Sequence, residues 1–141
     1  MPPDARVPVG VQAVVERDGW RLMILRGAPQ WYADGRGTWA HPGGWLDFGE
    51  DPLAAAARET LEETTVEVVG RSLIGCTTNY NTEQSLWIVT LIVGCEYVDG
   101  DPEVVEPEKC PEVAWVPVGE VDSLPLFRPT RAYQQKTYLA V

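Results

Sequence analysis

Glu59, Glu62 and Glu63 fall within the run Arg58-Glu59-Thr60-Leu61-Glu62-Glu63. On a helix the spacings i, i+3 and i+4 bring all three carboxylates to one face. At separations of ~5.5 Å and an effective dielectric of ~20, each like-charged pair costs about 3 kcal/mol, against under ~1 kcal/mol in full water. Such a face is therefore either fully solvated or a site for hard cations. Magnesium takes oxygen ligands and is readily shared between a few carboxylates and substrate phosphates, and manganese has the same preference.

The neighbouring residues favour the cation site. Asp51-Pro52 is an N-cap followed by proline at the first helical position, so a helix starts there. At about 100° per residue, Leu53, Ala57, Thr60 and Leu61 fall on one side and the three glutamates fall opposite. Ala55 and Ala56 lie near the acidic side, where small side chains leave room for a ligand. Arg58 precedes Glu62 by four residues and can pair with it or orient a neighbour. Upstream, Pro42-Gly43-Gly44 and Gly49 read as a loop whose backbone can come close to a ligand. A glycine-rich loop, a capped helix and an acidic face together make a loop–helix–loop suited to holding metal.

This segment, Gly44 to Val66, resembles the Nudix box, Gly-x5-Glu-x7-Arg-Glu-U-x-Glu-Glu-x-Gly-U, where U is a bulky aliphatic residue. Gly44, Glu50, Arg58, Glu59, Glu62, Glu63 and Val66 occupy their positions. Thr60 stands at the first U, weakening a core contact, and Thr65 replaces the final glycine, which implies a different exit from the helix. The resemblance extends to Glu106-Pro107-Glu108-Lys109-Cys110 and Trp115-Val116-Pro117, which look like the matching region of MutT-like nucleotide diphosphatases. It covers Val9 to Tyr133.

The resemblance implies an α/β/α sandwich with a mixed β-sheet, and hydrolysis of a nucleoside triphosphate, standard or modified, to monophosphate and pyrophosphate. A metal-activated water, with Mg2+ or Mn2+, would attack phosphorus. Glu59, Glu62 and Glu63 would be the catalytic ligands, joined by the Gly43 carbonyl, Glu50 and Glu108. Arg58 would orient carboxylates rather than touch substrate. Activity should rise towards alkaline pH, since no histidine dyad is available as base. Hydrolysis of ADP-ribose or a dinucleoside polyphosphate is the alternative. ADP-ribose enzymes of the family often carry proline about sixteen residues after the box, where this chain has Thr82. A non-catalytic nucleotide-sensing module is a further alternative, although such modules tend to lose box carboxylates that are all present here.

Composition agrees with one soluble domain, residues 1–141, long enough to bury about two-thirds of its unfolded surface. The formal net charge of −10 argues against a nucleic-acid polymer as partner, because a phosphate backbone needs a basic footprint. With only 11 Lys and Arg, a polyphosphate should be held largely through metal rather than by a basic cradle. No apolar run approaches ~18 residues, which argues against a membrane-spanning helix, and the N-terminus has no apolar targeting core. Cys76, Cys95 and Cys110 suit a reduced, cytoplasmic protein. A homodimer is compatible with the sequence.

Along the chain, strands are expected at Val7–Val15 (half-buried) and Trp20–Leu25, joined by a tight turn at Asp18-Gly19. Others are expected at Thr38–Ala40, Val66–Cys76, Ser85–Glu96 and Val113–Val116. Val118–Ser123 should be a short helix and Pro129–Leu139 a terminal helix. His41, the sole histidine, suits a structural or substrate-lining role better than catalysis. Trp31, Tyr32, Trp39, Asn79, Tyr80 and Trp87 are candidates for a base pocket, since aromatic faces stack on nucleobases. Trp115 reads as core.

Overall fold

A computed structural model describes residues 6–27, 35–81 and 84–141. Trp31, Tyr32 and Thr82 lie outside the described residues. The order is β1 (Val9–Arg17), β2 (Trp20–Leu25), β3 (Trp39–Ala40), β4 (Gly43–Trp45), α1 (Pro52–Thr64), β5 (Glu67–Asn81), β6 (Leu86–Asp99), β7 (Glu112–Pro117), a 3₁₀ turn (Val118–Ser123), α2 (Arg128–Gln134) and β8 (Leu139–Ala140).

Among the described residues, eight strands form one mixed sheet, ordered β3-β2-β1-β6-β5-β8, with β4 added to β1 and β7 to β2. Only the β1·β6 pair is parallel among those of the described strands. Strand β1 changes partner along one edge: Gly10–Gln12 pair with β4, whereas Glu16 and Arg17 pair with β2. The sheet therefore splits open beside the middle of β1. Helix α1 covers one face, where Ala13, Val15, Leu22, Ala56, Val66, Val68 and Val93 form the main core. Helix α2 covers the other face, where Gln12 Nε2 donates to the Pro129 carbonyl at 3.0 Å. Layers on both faces explain why Val11 to Val15 are all buried instead of half-buried in alternation.

Several local expectations hold. Asp18 and Gly19 both take positive φ (52° and 84°) in the turn from β1 to β2. Asp51 caps α1, its carboxylate accepting from the Leu53 and Ala54 N–H groups at 2.7 and 3.3 Å. Trp115 packs against the main core and meets Tyr97 edge-on.

Four expectations need correction. The segment read as a glycine loop contains a strand, β4. The terminal helix stops at Gln134, Lys136 turns left-handed (φ 55°), and Leu139–Ala140 pairs with β5. Thr65 adopts the left-handed conformation that a glycine would have supplied, φ 66°, so the helix exit is conserved and not rerouted. Its hydroxyl donates to the Asp101 carbonyl at 2.8 Å, which offsets part of the cost of that conformation. Finally, α1 buries a different stripe from the one expected: Ala55, Ala56, Glu59, Thr60, Glu63 and Thr64, while Leu61 is exposed. Thr60 fits the core because its hydroxyl donates to the Ala56 carbonyl at 2.8 Å.

Candidate active site

Two glutamates of α1 sit on its buried side. Glu63 is 1% exposed and Glu59 is 7% exposed. Burial pushes the Glu63 carboxyl up to about 7, opposed by the Lys109 charge and by hydrogen bonds from Gly43 and Cys110. Burial also raises Glu59, against the pull of Lys109 and Arg58. Glu63 Oε1 accepts from the Gly43 N–H at 2.7 Å, and Oε2 accepts from the Cys110 thiol at 3.3 Å. Burial and that bond to Glu63 keep the Cys110 thiol protonated, its pKa raised well beyond the ordinary range.

The Gly43 N–H points at Glu63 while its neighbours serve the β1 ladder, with Ala13 N–H donating to the Pro42 carbonyl and Leu46 N–H to that of Val9. In a strand one residue's N–H and C=O leave on the same side. The Gly43 carbonyl therefore belongs to the Glu63 side. Next to it, a Cβ on Gly44 would stand 2.5 Å from the Glu59 carboxyl carbon. Glycine at this position is what lets the Glu59 carboxylate lie directly on the backbone of β4.

Glu50 and Glu62 occupy the outer edge of the site. Arg58 binds Glu50 with two parallel bonds, Nε to Oε2 at 2.7 Å and Nη2 to Oε1 at 2.9 Å. The same guanidinium reaches Glu59 at 3.0 Å, Glu62 at 3.2 Å and Asp47 at 3.5 Å. Arg58 holds the Glu50 carboxyl below its ordinary range. Glu62 is half-exposed. Arg58 thus arranges carboxylates, as the sequence suggested, and engages Glu50 and Glu62 itself.

A cavity of about 850 Å³ opens beside the split in the sheet. Its wall carries Glu59, Glu63, Gly43, Asp47 and the segment Glu106 to Cys110, including Glu108. Ile88, Phe127 and Pro129 line it too, with Asn79 and Thr90. The Asn79 Nδ2 is buried without a hydrogen-bond partner among the described residues.

His41 lines the same cavity but is spoken for. Arg21 donates to its Nε2 at 3.1 Å, leaving Nδ1–H to donate to Gln12 Oε1 at 2.7 Å. Burial and the Arg21 charge lower its pKa to about 3. It is neutral at ordinary pH, with both ring nitrogens already partnered. Trp39 and Tyr80 are not brought to the cavity: Trp39 continues the β2 edge beside Leu126, and exposed Tyr80 leans on Trp87 at 5.5 Å between ring centroids. Residues that sequence reasoning missed are Cys110 and Lys109. Their signal was proximity to Glu108, which was itself singled out.

Among the described residues no three His, Cys, Asp or Glu side chains converge as a ready-made metal cage. The donors that do meet, Glu59, Glu63 and the Gly43 carbonyl, are all oxygens. That set fits a hard divalent cation that completes its shell with water and substrate oxygens.

The sequence matches the NUDIX domain over residues 6–138, so the chain belongs to the Nudix family. Its fold is similar to that of a MutT NUDIX hydrolase from Burkholderia pseudomallei, with TM-score 0.79, 27% identity, and coverage of 93% of this chain and 98% of that one. It is also similar in fold to the NUDIX domain of Shewanella oneidensis NrtR complexed with ADP ribose (TM-score 0.73, 19% identity, 97% and 91% coverage). A curated relative is the nucleoside triphosphate pyrophosphatase/Nudix hydrolase fusion protein of Bifidobacterium longum, 29% identical over 109 residues. That alignment takes in 74% of this chain but 21% of the relative, so the chain spans about a fifth of its length. Nudix hydrolases act on nucleoside diphosphate-linked compounds and generally use divalent metal ions. Among the described residues no helix is long and apolar enough to cross a membrane.

Proposed function

We propose that this chain is a magnesium-dependent nucleoside triphosphate diphosphatase, with manganese as a competent substitute. The observation that carries the reading is one cavity lined both by buried Glu59 and Glu63 and by apolar Ile88, Phe127 and Pro129, with the unpartnered amide of Asn79. That apolar lining suits a flat base, with the Asn79 amide available to a hydrogen-bonding edge. The relationship to the Bifidobacterium longum protein lends support.

Glu59, Glu63 and the Gly43 carbonyl would hold the metal, with Glu108 at the cavity wall as a further carboxylate. A bound divalent cation would supply positive charge for the phosphate oxygens and make water more acidic. The chain's own residues set the geometry. Gly43 N–H and Cys110 S–H fix the two oxygens of Glu63. Arg58 fixes Glu59 and keeps Glu50 and Glu62 beside it. Ile88, Phe127 and Pro129 keep water from the base. Water then adds across the phosphoanhydride between the α and β phosphates: its oxygen bonds to one of the two phosphorus atoms, the bond from that atom to the bridging oxygen breaks, the other phosphate group leaves with that oxygen, and the proton passes to a carboxylate. His41 takes no part in this transfer. The products are monophosphate and pyrophosphate.

Initial rates at saturating magnesium for nucleoside triphosphates (standard, oxidised and methylated), ADP-ribose and dinucleoside polyphosphates test the reading. The expected result is the highest kcat/KM for a triphosphate, with pyrophosphate released. A clear preference for ADP-ribose would overturn the substrate assignment.

A further inference from the structure

The carboxylates lining the cavity outnumber its cations. Asp47, Glu59, Glu63, Glu106 and Glu108 face two basic residues, Arg26 and Lys109. The Arg26 guanidinium lies over the Phe127 ring, 3.9 Å from its centroid. Lys109, an exposed residue on the cavity wall, stands in the field of Glu63, Glu106 and Glu59. Among the described residues no carboxylate lies within the 4.0 Å of an ion pair with it. It is a cation held in a carboxylate field without being committed to one partner.

Its backbone, by contrast, is pinned. The Gly27 N–H donates to the Lys109 carbonyl at 2.8 Å, and the Cys110 N–H closes a turn onto the Glu106 carbonyl at 2.7 Å. A Cβ on Gly27 would stand 2.1 Å from the Glu108 carbonyl oxygen, so the segment lies directly on the end of β2. The following residue, Cys110, bonds Glu63. The Lys109 stem thus starts one residue from the thiol that bonds Glu63, with its root fixed by the backbone.

We propose that Lys109 is the polyphosphate-binding cation of this site, its ammonium taking the oxygens of the substrate's diphosphate portion. The assignment rests on the nucleotide reading above and adds to it the residue that recognises the phosphates. Lysine is suited to the task because its ammonium is a point charge on a flexible four-carbon stem. Glu59 and Glu63, whose field surrounds the ammonium, are carboxylates that a divalent cation would neutralise, which leaves the lysine to the phosphate. An acidic chain then needs no broad basic cradle.

The test uses Lys109→Met and Lys109→Arg in the full chain, with calorimetric titration of inorganic pyrophosphate and of a nucleoside monophosphate in magnesium. For Lys109→Met, affinity for pyrophosphate should fall about tenfold or more, in line with loss of a bond to a charged group. Monophosphate affinity should change less than threefold, and KM for the triphosphate should rise with little change in kcat. Lys109→Arg should recover most of the loss. Pyrophosphate affinity within twofold of wild type in Lys109→Met would overturn the proposal. Equal loss of both ligands with a lowered Tm would overturn it too, by showing a structural role, as would a wild-type chain that fails to bind pyrophosphate. If wild type hydrolyses ADP-ribose best and Lys109→Met still loses pyrophosphate, the triphosphate reading fails while the role of Lys109 stands.

Discussion

Two arginines gather polar groups on opposite faces of the sheet, and they do so to different ends. Under α2, Arg21 is 3% exposed and bonds to Glu16, Gln134 at 2.7 Å and His41 at 3.1 Å. His41 passes the network to Gln12, and Gln12 to Pro129. Beside α1, Arg58 reaches four carboxylates but leaves Glu63 to a backbone N–H and a thiol. The first network is matched charge for charge and partner for partner, and so it reads as scaffold. The second keeps an excess of carboxylates in a cavity, a cost that a proton on Glu63 or a bound cation relieves. Polar burial by itself does not mark the site; unmatched polar burial does.

The largest expected effect comes from the unmatched side. Glu63→Gln should lower magnesium-dependent turnover by about a hundredfold or more, because an amide lacks the anionic oxygen that a hard cation prefers. In chelator the same variant should be more stable than wild type above neutrality. The sign follows from the raised carboxyl: the ordinary value is 4.5 and the folded value about 7. Its relative stability is therefore full below pH 4.5 and lost as pH rises through 7, a difference on the order of 3 kcal/mol. Thermal melts of both proteins from pH 4.5 to 8 would check this, and parallel curves would remove Glu63 from the unmatched set.

Gly44→Ala should come next. The added methyl would meet the Glu59 carboxylate at 2.5 Å. We expect more than tenfold loss of kcat/KM, since misplacing a positioned group by about 1 Å can cost on the order of a hundredfold. Far-ultraviolet circular dichroism should be unchanged, and full activity would mean that the close approach is dispensable.

The matched network should fail differently. Arg21→Met leaves His41 Nε2 and Gln134 Oε1 without their donor and should destabilise the protein by about 3 kcal/mol. Turnover per folded molecule should stay within about threefold of wild type, measured well below the lowered Tm. A variant that stays as stable as wild type but loses turnover would erase the distinction between the two networks. His41 supplies the opposite pH slope to Glu63. Its pKa is depressed from 6.5 to about 3, so its stability is present above pH 6.5 and lost as pH falls towards 3. The stability gap between wild type and His41→Asn should therefore narrow in acid, and a gap independent of pH would contradict the buried neutral ring.

Thr65→Gly should have the smallest effect, a gain of about 0.5–1 kcal/mol as the left-handed strain is relieved, less the lost bond to Asp101. Activity should not change. A loss of stability would show that the hydroxyl bond outweighs the strain.

Much of the α1 region was legible because its signals are local. The Asp51-Pro52 cap, the glutamate spacing and Arg58 lie within one short helix, where spacing fixes direction. Which face would be buried was not legible. Spacing set the glutamates opposite the stripe of Leu53, Ala57, Thr60 and Leu61, yet Glu59 and Glu63 face inward because β4 crosses beside them with no side chain at Gly44. The terminal helix was overextended for a similar reason, since pairing with β5 claims Leu139 and Ala140.

By itself, the sequence determined the elements that short-range chemistry dictates: the capped helix, the turn at Asp18-Gly19, and the glutamate spacing along α1. Tertiary structure decided everything that depends on which distant segments meet. It matched His41 to Arg21, set Cys110 on Glu63 across 47 positions of sequence, and opened the cavity where β1 changes partner. Those outcomes rest on strand register and close backbone approach, which arise only when the sheet assembles.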